Sequence, residues 1–172
     1  MGLSTELKPS MAEIMHPDTR MLNVRSPWAG QIIDGLKDVE NRPNELKMDP
    51  DAWVLLVNSG NQSSRKDVDR MNRIRKTIGK DPVRRPVDHK QCIIGMVKFQ
   101  GSFTGTAMGE SGLQTPWYNG EPDKAWVVKH YWKLQHPIPR VPGSLSLRKL
   151  HNLNKTDPGL YDRILEQLEA QI

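Results

Sequence analysis

The chain has 172 residues, 36% of them hydrophobic and 26% charged, with a formal net charge of +5. That length suits one domain with a core of its own. A single cysteine, Cys92, excludes an intrachain disulfide framework and a zinc ribbon, and no apolar run approaches the roughly 20 residues of a membrane helix.

Residues 1–20 read as a polar, weakly ordered extension. Met21–Arg25 alternates enough for a first strand. Ser26-Pro27 then opens a helix, with Ser as N-cap and Pro at the first helical position. Trp28, Ile32, Ile33 and Leu36 share its broad apolar face, and Gly35 offers the left-handed residue that ends it. Lys37–Arg42 reads as a short strand stopped by Pro43. Ala52–Val57 is short, apolar and bounded by Asp and Asn-Ser-Gly, the pattern of a buried strand. Ser64 caps a helix over 64–78 with Val68, Met71, Ile74 and Ile78 on one face. Lys66, Arg70, Arg73, Lys76 and Lys80 cover the other.

After a Pro-punctuated linker at 81–90, Cys92–Phe99 is a second buried strand that can run on toward Phe103. Residues 104–125 form a long polar loop, and loops of that length are usually functional or disordered. Trp126–Leu134 is a strand, a short strand lies near 144–150, and Asp157 or Pro158 opens a closing helix with Leu160, Ile164, Leu165 and Leu168 inward. This order of elements suggests a mixed α/β (α+β) fold: a small barrel with helices packed on it. The domain spans 21–150, and residues 151–172 supply a helix packed against it.

The charge is uneven. Residues 61–90 hold ten Lys/Arg against four Asp/Glu, and residues 126–150 hold five against none. Two basic blocks on a mildly acidic body suit a polyanion, most simply nucleic acid, or else a solvated surface. The densest chemistry is Gly35-Leu36-Lys37-Asp38-Val39-Glu40-Asn41-Arg42. On a strand, alternation sets Lys37, Val39 and Asn41 on one face and Asp38, Glu40 and Arg42 on the other. A Lys, a Glu and an Arg this close form either an acid/base and anion-holding group or an ion pair tying the strand to its neighbour. Burial near Arg42 disfavours a charged lysine and suits a base or nucleophile; Glu40 favours the charged form, which suits phosphate.

Asn58-Ser59-Gly60-Asn61 follows the best strand, either as a phosphate- or base-binding turn or as an ordinary polar one. Trp28 is core or cleft wall. Trp117-Tyr118, in a polar loop, can stack a base. Tyr131 and Trp132 point to opposite faces, so one can reach a cleft. The five histidines are scattered, with no carboxylate or cysteine completing a set, so no metal and no cofactor are expected.

Gly35-x-Lys37-x-x-Glu40-x-Arg42 resembles the G-x-K-x-x-E-x-R signature of ASCH domains, members of the PUA-like superfamily. Val24-Arg25-Ser26-Pro27-Trp28-Ala29 looks like the strand-then-helix opening of several members, and Ile94-Gly95-Met96-Val97 like a later strand. Tyr131-Trp132-Lys133-Leu134 with Pro137-Ile138-Pro139 looks like the late strand and its exit. The resemblance covers about residues 21–150. It implies a PUA-like β-barrel flanked by helices, with a cleft beside the signature for RNA or a modified nucleotide. Some relatives deacetylate N4-acetylcytidine, one has a ribonuclease activity, and others are RNA-binding or coactivator modules. By that likeness Lys37 maps onto the amidohydrolase lysine. Glu40 stands where those enzymes carry a threonine, and their catalytic glutamate would come from Glu110, Glu121 or Asp123.

The expectation is therefore an RNA- or nucleotide-binding cleft centred on Lys37, Glu40 and Arg42. Arg25, Ser26 and Trp28 form one wall, and Asn58, Ser59, Tyr131 and Trp132 lie nearby. Lys66, Arg70 and Arg73, with the stretch 129–149, steer phosphates. The alternatives are an enzyme acting on RNA or modified nucleosides through Lys37, Glu40 and Arg42, and a protein-interaction or coactivator module. The chain shows no charged-then-apolar leader pattern, and the expected setting is intracellular: cytoplasmic, or nuclear.

Overall fold

A computed structural model describes residues 4–83, 89–105, 115–144 and 147–172. In chain order the strands are β1 (Thr5–Glu6), β2 (Arg20–Ser26), β3 (Val39–Arg42), β4 (Val54–Gln62), β5 (Cys92–Phe103), β6 (Lys124–Ile138) and β7 (Arg148–Lys149). The helices are α1 (Met11–Ile14), α2 (Trp28–Ile33), α3 (Arg65–Thr77), α4 (Leu153–Thr156) and α5 (Pro158–Glu169), with a 3-10 turn at Leu150–Asn152. The seven strands form one mixed sheet in the order β1-β6-β5-β4-β2-β7, with β3 on β6. Pairing is antiparallel except for β1 with β6 and β2 with β4.

The mixed α/β class expected from the sequence is present, but the sheet does not close into a barrel. Among the described residues β3 pairs only with β6, and β2 only with β4 and β7. A side chain crosses the gap instead: the Arg42 Nη2 donates to the Asn23 carbonyl at 2.7 Å.

Both faces of the central strands are buried, which is why Ala52–Val57 reads as a continuous apolar run rather than an alternating one. Leu55 and Val57 face a core with Met21, Trp53, Ile93 and Met96 that α5 covers through Leu160, Ile164 and Leu168. Val54 and Leu56 face a second core with Leu22, Val24 and Val97 that α2 covers through Ala29, Ile32 and Ile33. α3 packs Met71 and Ile74 onto Val39, Ala125 and Val127.

The caps of α3 and α5 are those the sequence specifies. Ser64 Oγ accepts from Asp67 N–H at 3.2 Å, and Asp157 Oδ1 from Leu160 N–H at 3.2 Å with Pro158 next. α2 differs. Pro27 is its N-cap and makes no side-chain cap, because Ser26 is still the last residue of β2. Gly35 does sit in the left-handed region, at φ +77°.

Residues 4–20, read as a polar extension, pack on the body. Ser10 and Glu13 form a reciprocal capping box on α1, Ile14 is buried, and Trp53 Nε1 donates to Glu13. β6 runs further than 126–134, since β5 and β3 both pair along it. Where a late strand near 144–150 was expected, the described residues hold the two-residue β7 and, from Leu150, the 3-10 turn. Among these, no helix is long and apolar enough to cross a membrane.

Candidate functional site: a basic cleft around Lys37, Glu40 and Arg42

The turn after α2 delivers Lys37. The Gln31 carbonyl accepts from both Leu36 N–H (3.0 Å) and Lys37 N–H (2.9 Å), which wraps the chain around the end of the helix. Gly35 allows that wrap: its φ is left-handed, and a Cβ there would lie 2.5 Å from the ring and hydroxyl of Tyr131. Lys37 therefore falls before β3 and outside its alternation. The expected separation of Lys37 from Glu40 does not occur, and both side chains reach one site.

Lys37 is 2% exposed. Its ammonium donates to the Val39 carbonyl (2.7 Å) and to Glu40 Oε1 (3.2 Å), and stands 5.5 Å from the Trp28 ring centroid. Two of the lysine's three N–H donors thus have acceptors, and the Trp28 ring lies within reach of the charge. The other carboxylate oxygen, Glu40 Oε2, accepts from Arg42 Nε (3.1 Å) and Nη2 (2.9 Å). A chain of bonds thus runs from the α2 turn through Lys37, Glu40 and Arg42 to Asn23 on β2. Burial pulls the Lys37 ammonium below its usual range; Glu40 counters this, while Arg42 and Arg70 add to it. Burial alone would raise the Glu40 carboxyl, but Lys37 and Arg42 outweigh it and hold it below its usual range.

This group forms part of the wall of a cleft of about 980 Å³. Of the residues expected there, Arg25, Trp28, Ser59 and Arg70 line it with Lys37, Glu40 and Arg42. Among the described residues its charged lining is four cations (Arg25, Lys37, Arg42, Arg70) against two carboxylates (Glu40, Asp67). Trp28 is half-buried, with the Arg70 guanidinium 5.8 Å from its ring centroid.

Other expected residues lie elsewhere. Ser26 is fully buried at the end of β2, where its carbonyl accepts from Ser63 N–H. Asn58 is buried behind the wall and donates to the His89 carbonyl, which helps place Gln91 on the cleft. Tyr131 packs on Gly35, and Trp132 joins the core on the α5 side, so neither lines the cleft. Lys66 and Arg73 are exposed on α3 and do not line it.

Trp117, expected to stack a base, is 2% exposed and meets Trp28 edge-on at 6.2 Å. Tyr118 donates its hydroxyl to the Asp123 carbonyl. Both aromatics are structural because Asn41 holds their loop: its side chain donates to the Trp117 carbonyl and accepts from Asn119 N–H. Glu121 and Asp123 do not line the cleft, and Glu110 lies outside the described residues.

Asn23, Asn41, Asn61, Gln91 and Asn119 line the cleft from five separate segments, although the Asn41 side chain is already bonded to Trp117 and Asn119. Sequence reading marked Asn61 through its turn and Asn41 through the Gly35–Arg42 stretch. No local pattern marks the others, because the topology and not the spacing brings them together. Among the described residues, no group of three or more His, Cys, Asp or Glu side chains converges as a metal set would.

No family model matches this chain, and no curated protein matches it either. Two solved structures of the ASCH protein of Zymomonas mobilis are similar to it. One, a serine-to-alanine mutant, shares 14% identity over 81% of this chain and 94% of that one, with a TM-score of 0.46. The other shares 14% identity over 84% and 96%, with a TM-score of 0.45.

Proposed function

We propose that the cleft binds single-stranded RNA or a nucleotide, with its phosphate held by arginines and its base against Trp28 and the surrounding amides. The observation that supports this most is the set of Arg25, Arg42 and Arg70 on the wall of one roughly 980 Å³ cleft beside a half-buried tryptophan. Guanidinium groups take phosphate oxygens in a fork, aromatic faces accept any base, and side-chain amides read base edges. Lys37 serves as a buried counter-charge. Its ammonium bonds to Val39 and Glu40 beside the Trp28 ring, so it holds Glu40, and Glu40 holds Arg42.

A catalytic role for Lys37 is the second reading. Its support is the burial that weakens its hold on a proton.

Labelled single-stranded RNA, followed by fluorescence anisotropy at two salt concentrations and by denaturing gels, separates the two. The binding reading expects affinity that falls with salt, on the order of tenfold weakening in R25A or R70A, and RNA recovered intact. Affinity indifferent to salt and to both substitutions overturns it. Cleavage by the wild type that disappears in K37M, with the fold retained, establishes the catalytic reading.

A further inference from the structure

A second cavity of about 480 Å³ lies beside the first, and Arg42 and Pro43 belong to the walls of both. Arg42 and Pro43 thus border both cavities, and of the two only Arg42 carries a charge. The smaller cavity has buried Leu22 and Trp126 and half-buried Leu147 among its lining, with exposed Lys47 and Glu45 and the side chain of Arg20. Leu22 and Trp126 show little surface and Arg20 is paired with Asp18, so what the small cavity offers a base and its phosphate is chiefly half-buried Leu147 with Arg42 and Lys47, against Glu45.

Arg42 is held firmly at this junction. Its Nε and Nη2 bond to Glu40, Nη2 also reaches the Asn23 carbonyl, and the guanidinium lies 5.9 Å from the Trp126 ring centroid. Its Nη1 has no hydrogen-bond partner among the described residues, and the side chain is 27% exposed. The charge is thus oriented from within and open on one side, the arrangement expected of an anion contact prepared before the ligand arrives.

On the strength of the nucleotide reading above, we infer that the ligand is an oligonucleotide of two or more residues. It crosses from the large cleft over Arg42 into the small cavity, and Arg42 takes the phosphodiester that joins the two nucleotides. A mononucleotide occupies only one of the two cavities and forgoes the second set of contacts.

The test compares the affinities of uridine monophosphate, the uridine dinucleotide and a uridine tetranucleotide by titration calorimetry. The proteins are the wild type, K47E, L147W and K155E. Lys47 is exposed at the small cavity, L147W fills that cavity without changing charge, and Lys155 is exposed on α4 as a control for overall charge. The inference expects a step from mononucleotide to dinucleotide on the order of tenfold, most of which disappears in K47E and L147W and persists in K155E. Equal affinity for all three probes, or a step that K155E reduces as much as K47E does, overturns the inference and leaves the nucleotide reading standing. Failure of every probe to bind overturns both.

Discussion

Glu40 is the residue on which the site depends most. It is buried between two cations, and removing one partner from a buried ion pair leaves a charge with no compensation. E40Q should therefore cost about 3 kcal/mol at neutral pH, read as a lower urea midpoint. Its pH dependence has a definite sign. The folded-state Glu40 carboxyl sits below its usual value of 4.5. Its stabilising contribution is thus complete above that value and is lost as pH falls through the folded-state value. The gap between wild type and E40Q should narrow as the solution is acidified below pH 4.5, and a gap that widens would contradict the assignment.

Residue by residue, the signature was legible as a group but not in its phase. Lys37 lies on a turn, where strand alternation does not apply. Trp117 misled for a related reason. A polar neighbourhood in sequence says nothing about the helix or turn that later covers an aromatic ring.

At the scale of elements, the α2-to-β3 turn sets the geometry of the site. G35A forces a Cβ into the left-handed region and against Tyr131, at a cost of at least about 1–2 kcal/mol. Y131A should recover the steric share of that loss and leave the backbone share, giving a non-zero coupling in a double-mutant cycle. S64A removes the N-cap of α3, the helix that carries Arg70, and should lower stability by about 1 kcal/mol. Thermal melts report both.

Caps of this kind made α3 and α5 readable, because one side chain settles where a helix begins. The strands Ala52–Val57 and Cys92–Phe99 were readable because burial on both faces leaves a continuous apolar run. The cap of α2 misled, since β2 runs on through Ser26. β1 and α1 escaped because a two-residue strand and a single helical turn carry no periodicity. The Ser10–Glu13 capping box was their one local sign.

For the whole molecule, electrostatics should govern association. On the proposed reading, in which Arg25, Arg42 and Arg70 neutralise three phosphates, a plot of log affinity against log salt should have a slope of about −2. R70A should flatten it by roughly 0.7, the share of one phosphate on a single strand. The basic blocks at 61–90 and 126–150 raised the expectation of a polyanion partner, but did not say which cations share the wall of the cleft. Only Arg70 of the α3 stripe turns into the cleft, and Arg25 and Arg42 come from segments that the charge blocks do not include.

The seam between β2 and β3 has a kinetic consequence. Backbone pairing does not cross it, and Arg42 spans it with the same guanidinium that faces the cleft. Local opening of β3 must release Arg42 from Asn23, while an anion on Arg42 favours the closed arrangement. Ligand occupancy should therefore slow amide hydrogen exchange in Val39–Arg42 more than in the doubly buried strand β4. The cleft and the breathing of the sheet would then be two readouts of one equilibrium.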